Sequence, residues 1–315
     1  MTWAVQLDDA LPEQSVSPGM AGLAAFESSC REHDDHAPFD EHTLLSLQGL
    51  SAVPHARLTV RAEGLLAGCA VLTEGLDGWY VEVAVLPAWR RRGIGRVLVD
   101  AATEHVASHG GGVLRSWVHD TGGAVEALAR EARVGRTLLV LRRGLDTALP
   151  ELTLGTRSLR EGERDAWLRL SNAAFEGHPE NGGWTRAHLD WRVEAPWTSL
   201  DRWPVLEDAQ GQLTAGVWTK VEPGAVSGEL YVVAVDPACQ GRGLGRAAVA
   251  AALHQLADAG CRSAHLYVDA QNAPALALYA WAGFVNGEIH QCLETTVAST
   301  TNRHATVPHP VPTQA

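Results

Sequence analysis

The chain repeats itself once, and the repeat limits the fold more than any other feature. Residues 78–99, GWYVEVAVLPAWRRRGIGRVLV, align without a gap with residues 228–249, GELYVVAVDPACQGRGLGRAAV, at an offset of 150, with 11 of 22 positions identical. A block that recurs at the spacing of a domain means one supersecondary plan used twice. A length of 315 residues fits two domains at roughly 100–200 residues each. The expected division is 1–146 and 151–297, joined near 144–152 (GLDTALPEL), where Gly and Pro interrupt the apolar segments. Residues 298–315, rich in Thr, Pro and His without periodicity, read as a disordered tail.

The second copy predicts its elements clearly. Residues 228–236 are Val-rich and short, as a strand buried on both faces would be, and Pro237 stops them. Leu244, Ala248, Ala251, Ala252, Leu256 and Ala259 then recur at helical spacing up to Gly260. A strand at 262–269, a helix at 273–282 and a closing pair of strands around 284–296 follow. Upstream, a strand near 153–159, helices near 163–175 and 185–193, and a hairpin over 204–220 turning at Asp208–Gln212 complete the half. Each half is therefore an α/β (α+β) domain: a mixed, mostly antiparallel sheet flanked by helices.

Between strand and helix lie Gln240, Gly241, Arg242, Gly243, Leu244, Gly245 and Arg246. The first half has Arg90, Arg91, Arg92, Gly93, Ile94, Gly95 and Arg96 there. Glycine lets the backbone turn tightly and approach a ligand, and the helix start then offers unpaired N–H groups and the positive end of its dipole. That arrangement suits an anion, above all a pyrophosphate. The spacing is neither GxGxxG nor GxxxxGK[ST], so dinucleotide and nucleoside-triphosphate loops are not indicated. A plain strand-to-helix turn would explain one copy; two copies, each a fixed distance after a Val-rich strand and a Pro, favour a ligand loop.

Composition removes other classes. With 25 basic and 37 acidic residues the net charge is −12, unsuited to general binding of nucleic acid or an anionic membrane. No apolar run reaches the ~18–20 residues of a bilayer span, and the N-terminus lacks the features of a secretory signal. Cys30, Cys69, Cys239, Cys261 and Cys292 are odd in number and form no CxxC, which favours a reduced, cytoplasmic protein without structural zinc. No metal is expected. Of the basic residues only Lys220 is a lysine.

The loop pattern [Q/R]-x-x-G-x-[G/A] after a Val-rich strand resembles the acyl-CoA pyrophosphate loop of the GCN5-related N-acetyltransferases. In the second half Asn272, Tyr279 and Gly283-Phe284 match the N-x-x-A-x-x-x-Y-x-x-x-G-F pattern of the same superfamily. The resemblance covers both halves and implies acetyl-CoA as cosubstrate. It implies contacts from Val233, Ala234 and Val235, from the loop Gln240–Arg246, and from Asn272, Ala273, Pro274, Ala275, Leu276 and Ala277. In the first half the matching contacts are Val83, Ala84, Val85 and Arg91–Arg96. Glu229 is the implied general base and Tyr279 the proton donor to the CoA sulfur; a strand bulge would turn a backbone N–H near Val233–Val235 toward the thioester oxygen. At an offset of 150 Glu229 faces Trp79 and Tyr279 faces Ala129, so the first half is expected to hold acetyl-CoA without doing chemistry. For Glu229 a solvated strand-edge carboxylate, and for Tyr279 a core tyrosine, are the bland alternatives.

NAAFEGHPENGGWT (172–185), VWTKVE (217–222) and GELYVVAVDP (228–237) narrow the resemblance. They are similar to a tandem branch of the superfamily that acetylates the cysteinyl amine of cysteinyl-glucosaminyl-inositol. That branch implies substrate contacts at Glu41, Glu180, Lys220, Glu229 and Tyr267, with the thiol-sugar lying between the domains. Glu41 could equally be a helix N-terminal carboxylate serving the dipole. His178 more readily shapes its loop than binds metal, and the other histidines have no assigned role. The expected enzyme is monomeric. Two rivals stay open: a tandem acetyltransferase for another amine, such as an aminoglycoside or a protein N-terminus, and a non-catalytic acyl-CoA-binding regulator.

Overall fold

The computed structural model describes residues 2–8, 22–34, 37–41, 43–44, 55–75, 78–118, 132–177 and 183–300. Contacts divide the chain into two compact units, Met1–Arg136 with Gln291–Ala315, and Thr137–His290. The last strand thus passes from the second unit into the first, which a linear division at 146/151 does not provide for.

The first unit carries β1 (Val5–Asp8), α1 (Leu23–Asp34), β2 (His55–Ala62), β3 (Leu65–Gly75), β4 (Gly78–Val85), α2 (Ile94–Ser108) and β5 (Gly112–Val118). Its strands lie in chain order; β1 to β4 are antiparallel neighbours and β5 runs parallel to β4. Residues Gln291–Val297 close its edge, antiparallel to β5. Ile94, Leu98, Ala102 and Val106 recur every four residues on α2 and pack on Leu58, Val60, Ala70 and Leu72. The opposite face packs Phe26 and Cys30 of α1 against Cys69, Val71 and Ala84.

β6 (Arg133–Gly144) leads into the second unit. There follow β7 (Arg157–Ser158), α3 (Arg164–Ala174), α4 (Arg186–Glu194), β8 (Pro204–Glu207), β9 (Leu213–Lys220), β10 (Ser227–Val235), α5 (Leu244–Asp258), β11 (Ser263–Asp269), α6 (Ala273–Trp281) and β12 (Val285–Val297). The strand order is β6-β11-β10-β9-β8-β7, with β10 and β11 the parallel pair. Gly228 is required where β10 meets α5: a Cβ there would stand 2.4 Å from Leu256 Cδ2. Leu253 and Leu256 of α5 are fully buried, each contributing about 2 kcal/mol. Across the sheet Trp167, Trp203 and Trp218 form a second core, with Trp203 and Trp218 stacked at 4.0 Å.

Several expectations change here. The closing segment is one strand, β12, rather than a pair, because its second half has a partner in β5. The strand near 153–159 shrinks to Arg157–Ser158. β10 alternates between buried and half-buried positions instead of being buried on both faces. Of the expected tail, residues 298–300 are described, with Thr300 N–H reaching Ala107 O at 2.9 Å, and 301–315 lie outside the described residues. All five cysteines are free thiols.

Candidate active site

Both glycine loops have the shape the sequence asks for. In the second unit the Asp236 carboxylate accepts from Ala238 N–H at 2.8 Å and caps the 3-10 turn Pro237–Cys239. Gly241 (φ 75°) and Gly243 (φ 79°) then turn through the left-handed region. α5 begins at Gly243 without a side-chain cap, and a Cβ on either glycine would meet nothing within 4 Å. No side chain caps the first-turn N–H groups at the positive end of the dipole, as an anion site requires. Arg242 donates to Ala238 O at 3.2 Å, and the Arg246 guanidinium lies 5.1 Å over the Trp281 ring. Asn272 accepts from Ala275 N–H at 3.1 Å and caps α6, whose first turns contain Ala273, Pro274, Ala275, Leu276 and Ala277.

The first-unit loop is less free than its three arginines suggest. Arg91 occupies φ 62°, where the second unit has Gly241. Arg90 forms a two-pronged pair with Asp34 (2.6 and 2.5 Å) and donates to Val85 O at 2.9 Å. Arg92 lies 4.7 Å over the Trp89 ring and Arg96 pairs with Asp100. The local basicity is thus largely engaged within the unit. Gly93 (φ 87°) still starts α2 without a side-chain cap.

The parallel strands pair only briefly. The register with β11 runs over Ser227–Glu229, and that of β4 with β5 over Trp79–Tyr80. Val233–Val235 and Val83–Val85 lie beyond these pairings and keep their antiparallel partners on β9 and β3. One difference separates the units. Leu230 pairs with Thr219 and Val232 with Trp218, so Tyr231 is an inserted, bulged residue, whereas β4 runs against β3 without a register shift. The bulge lies at Tyr231, two residues upstream of Val233. It also corrects the counterpart of Glu229. Glu229 pairs with His265 as Tyr80 pairs with Arg115, so Tyr80, not Trp79, holds the matching place. The gap-free repeat slips by one residue upstream of the bulge.

Gly228 and Leu230 face α5, so Glu229 points to the other side of β10. Its Cα partners are Lys220 on β9 and His265 on β11. Lys220 Nζ lies 3.4 Å from Glu222, 4.9 Å from the Trp197 ring centre and 5.7 Å from that of Tyr231. Arg192, stacked 4.3 Å over Trp184, donates to the Tyr231 hydroxyl at 2.7 Å and so holds the bulged residue. Asn172 fixes Trp184 by two bonds of 2.9 Å to its backbone. Tyr267 is half-exposed, yet desolvation of its hydroxyl and then the Glu229 charge push its pKa up to about 12.

Tyr279 is buried on α6, in the core that also receives Val233 and Val235, with Phe284 edge-on at 6.0 Å. Burial raises its pKa well above the usual tyrosine range. Glu41 stands in a helical turn after Asp40, whose carboxylate accepts from Thr43 N–H at 2.6 Å. Glu180, His178 and Ala129 lie outside the described residues. Among the described residues no His, Cys, Asp and Glu group could hold a metal, and no helix is long and apolar enough to cross a membrane.

Sequence reasoning missed His265. Its Nδ1 is 3.0 Å from Ser227 Oγ, its Nε2 is 3.9 Å from Glu229 Oε2, and its ring meets Tyr267 edge-on at 6.1 Å. Burial, then Arg142 and Lys220, push its pKa down to about 4. The signal was available: in RSAHLYVD, His265 and Tyr267 share a face because strand side chains alternate. An ionisable carboxylate, a neutral imidazole and a lysine thus meet beside a bulged strand, an arrangement able to move a proton from an amine.

The acetyltransferase (GNAT) family matches this chain twice, at residues 22–132 and 164–284. A mycothiol acetyltransferase of Salinispora tropica is 40% identical over 287 residues, covering 87% of this chain and 92% of its own. That of Thermobifida fusca is 35% identical, covering 90% and 95%. Among solved structures, a tandem GNAT protein from the clavulanic acid biosynthesis pathway superposes with a TM-score of 0.67 at 18% identity, covering 94% of this chain and all (100%) of that one. A GCN5-related N-acetyltransferase from Sphaerobacter thermophilus gives 0.62 at 18% identity, over 93% and 96%.

Proposed function

The chain belongs to the mycothiol acetyltransferases of the GNAT family, and from that premise we propose that its second half carries the chemistry and its first half does not. The enzyme is an acetyltransferase acting on an amine. The reaction is acetylation of the cysteinyl amine of cysteinyl-glucosaminyl-inositol, the step that completes mycothiol. Acetyl-CoA supplies the acetyl group, and a monomeric, cytoplasmic enzyme is part of the proposal.

The observation that carries the division is the bulge at Tyr231 next to Glu229, against a regular β4 with Tyr80 in the matching place. The residues fit acetyl-CoA: an uncapped helix start behind Gly241 and Gly243 suits its pyrophosphate. The new bond joins the cysteinyl nitrogen to the acetyl carbon, and the bond from that carbon to sulfur breaks. Glu229 takes the proton that the substrate ammonium must lose before it can attack. A backbone N–H near Val233–Val235 polarises the carbonyl oxygen. Tyr279, kept protonated by its burial, gives its proton to the departing sulfur, and the second proton that the nitrogen sheds as the amide forms restores the phenol.

Lys220, Tyr267, Glu41 and Glu180 are the proposed substrate contacts. Lys220, seated between two aromatic rings and Glu222, presents a compact ammonium to sugar hydroxyls, which a planar guanidinium would not reproduce. The test is thiol release from acetyl-CoA with cysteinyl-glucosaminyl-inositol beside an aminoglycoside panel. Turnover with the thiol-sugar is expected; turnover with the panel alone would overturn the assignment.

A further inference from the structure

We infer that His265 is the positioning residue of Glu229: its Nε2–H is directed at the Glu229 carboxylate while Ser227 holds the other side of the ring. The inference rests on Glu229 being the base. Its geometry is a line of three side chains across two strands. Ser227 and Glu229 stand two apart on β10, share a face, and flank His265, which pairs with Glu229 in the parallel register. Ser227 Oγ is 3.0 Å from Nδ1, and Nε2 is 3.9 Å from Oε2.

Burial first, and then the charges around the ring, decide which form it takes. Arg142, its Cα partner on β6, and Lys220 on β9 are cations, and Glu288 on β12 is the acid that opposes them. Arg142 is bonded to Glu288 at 2.6 Å, and His290 Nε2 lies 3.6 Å from the same carboxylate. Tyr267 meets the ring edge-on and stays protonated. A third cation is disfavoured here, so His265 is neutral above about pH 4 and carries one N–H. An ionised carboxylate facing Nε2 can only accept, so the inference places that hydrogen on Nε2, toward Glu229, and leaves Nδ1 to accept from the Ser227 hydroxyl.

The separation of 3.9 Å exceeds a hydrogen bond in this state; closing by about 1 Å, as catalytic hydrogen bonds do when substrate binds, makes one. A neutral donor suits the role better than a cation. It fixes one carboxylate oxygen and favours the ionised form, yet leaves the group basic enough to take a proton, which a salt bridge would suppress.

The test is the pH dependence of kcat and KM for His265→Ala, His265→Gln, Ser227→Ala and Glu229→Gln in the full chain, each checked for folding by circular dichroism. His265→Ala is expected to lower kcat about tenfold or more, to leave the acetyl-CoA KM within about twofold, and to move the acid limb of kcat upward. His265→Gln, which restores an N–H donor, recovers most of the rate and the limb. Ser227→Ala, which releases the tautomer, falls between. A wild-type kcat and acid limb in folded His265→Ala would overturn the inference. So would a loss of rate with an unmoved limb, or no recovery in folded His265→Gln. Activity retained by Glu229→Gln would instead remove the base assignment, and this inference with it.

Discussion

Glu229 and Tyr80 occupy the same place in two units built on one plan, each the last residue of its strand to pair with the parallel neighbour. One unit puts a carboxylate there, next to a bulge; the other puts a phenol ring, with the Arg115 guanidinium 5.5 Å from its centre, on a regular strand. Glu229→Gln is therefore expected to lower kcat by about 100-fold or more while leaving the acetyl-CoA KM nearly unchanged. Tyr80→Phe should stay within about twofold of wild type. Steady-state thiol release measures both, and equal losses in the two variants would end the division of labour.

The glycine loops make a second pair for comparison. Gly243 and Gly93 both have left-handed φ and open space where a Cβ would go. Alanine at either costs about 1 kcal/mol of backbone strain, without a clash. If only the second unit serves the reaction, Gly243→Ala raises the acetyl-CoA KM roughly tenfold, because the strained turn misplaces the helix-start N–H groups. Gly93→Ala should leave kcat and KM close to wild type and show mainly as a lower melting temperature. Lost turnover in Gly93→Ala with Gly243→Ala unaffected would assign the chemistry to the wrong half.

What the sequence made legible was local. The strand–loop–helix block, the cap at Asn272 and the hairpin turning after Glu207 are written in residues a few positions apart, where glycine φ and helical spacing decide the outcome. The bulge was not legible, because identical residues downstream at Val233, Ala234 and Val235 fix a gap-free alignment that hides one insertion upstream. The engagement of Arg90 was not legible either, because its partner, Asp34, lies 56 residues earlier. His265 acquires meaning only beside Ser227 and Glu229 on another strand. Residues Gln291–Val297 needed their pairing with β5 to reveal which unit they complete.

Tyr279 gives a sharper test of the proton donor than deletion would. Its ring is buried in the second-unit core, so Tyr279→Phe keeps the packing and removes only the hydroxyl. The expected result is a kcat lowered about 10- to 100-fold, with a melting temperature close to wild type. Because burial raises its pKa above the ordinary value, the hydroxyl stays protonated through the alkaline range. The basic limb of the wild-type rate below pH 10 should therefore persist unchanged in position in Tyr279→Phe; a shifted limb would mean that the Tyr279 hydroxyl itself titrates in that range.

His265 also makes folding depend on pH in a defined window. Its pKa falls from 6.5 in the unfolded chain to about 4 in the fold, so between those values the unfolded state binds more protons. Stability from this group is complete above pH 6.5 and is lost as pH falls toward 4. At pH 5 the loss is on the order of 2 kcal/mol for a side chain 20% exposed. Glu288, whose pKa is lowered by its bond to Arg142, acts in a separate window that begins near 4.5 and extends below it. Urea unfolding of wild type and His265→Gln at pH 7 and pH 5 separates the two. The other histidines are common to both proteins and cancel in the difference. His265→Gln should lose less stability on acidification than wild type by about that amount, and identical losses would show that the ring is not held neutral by its surroundings.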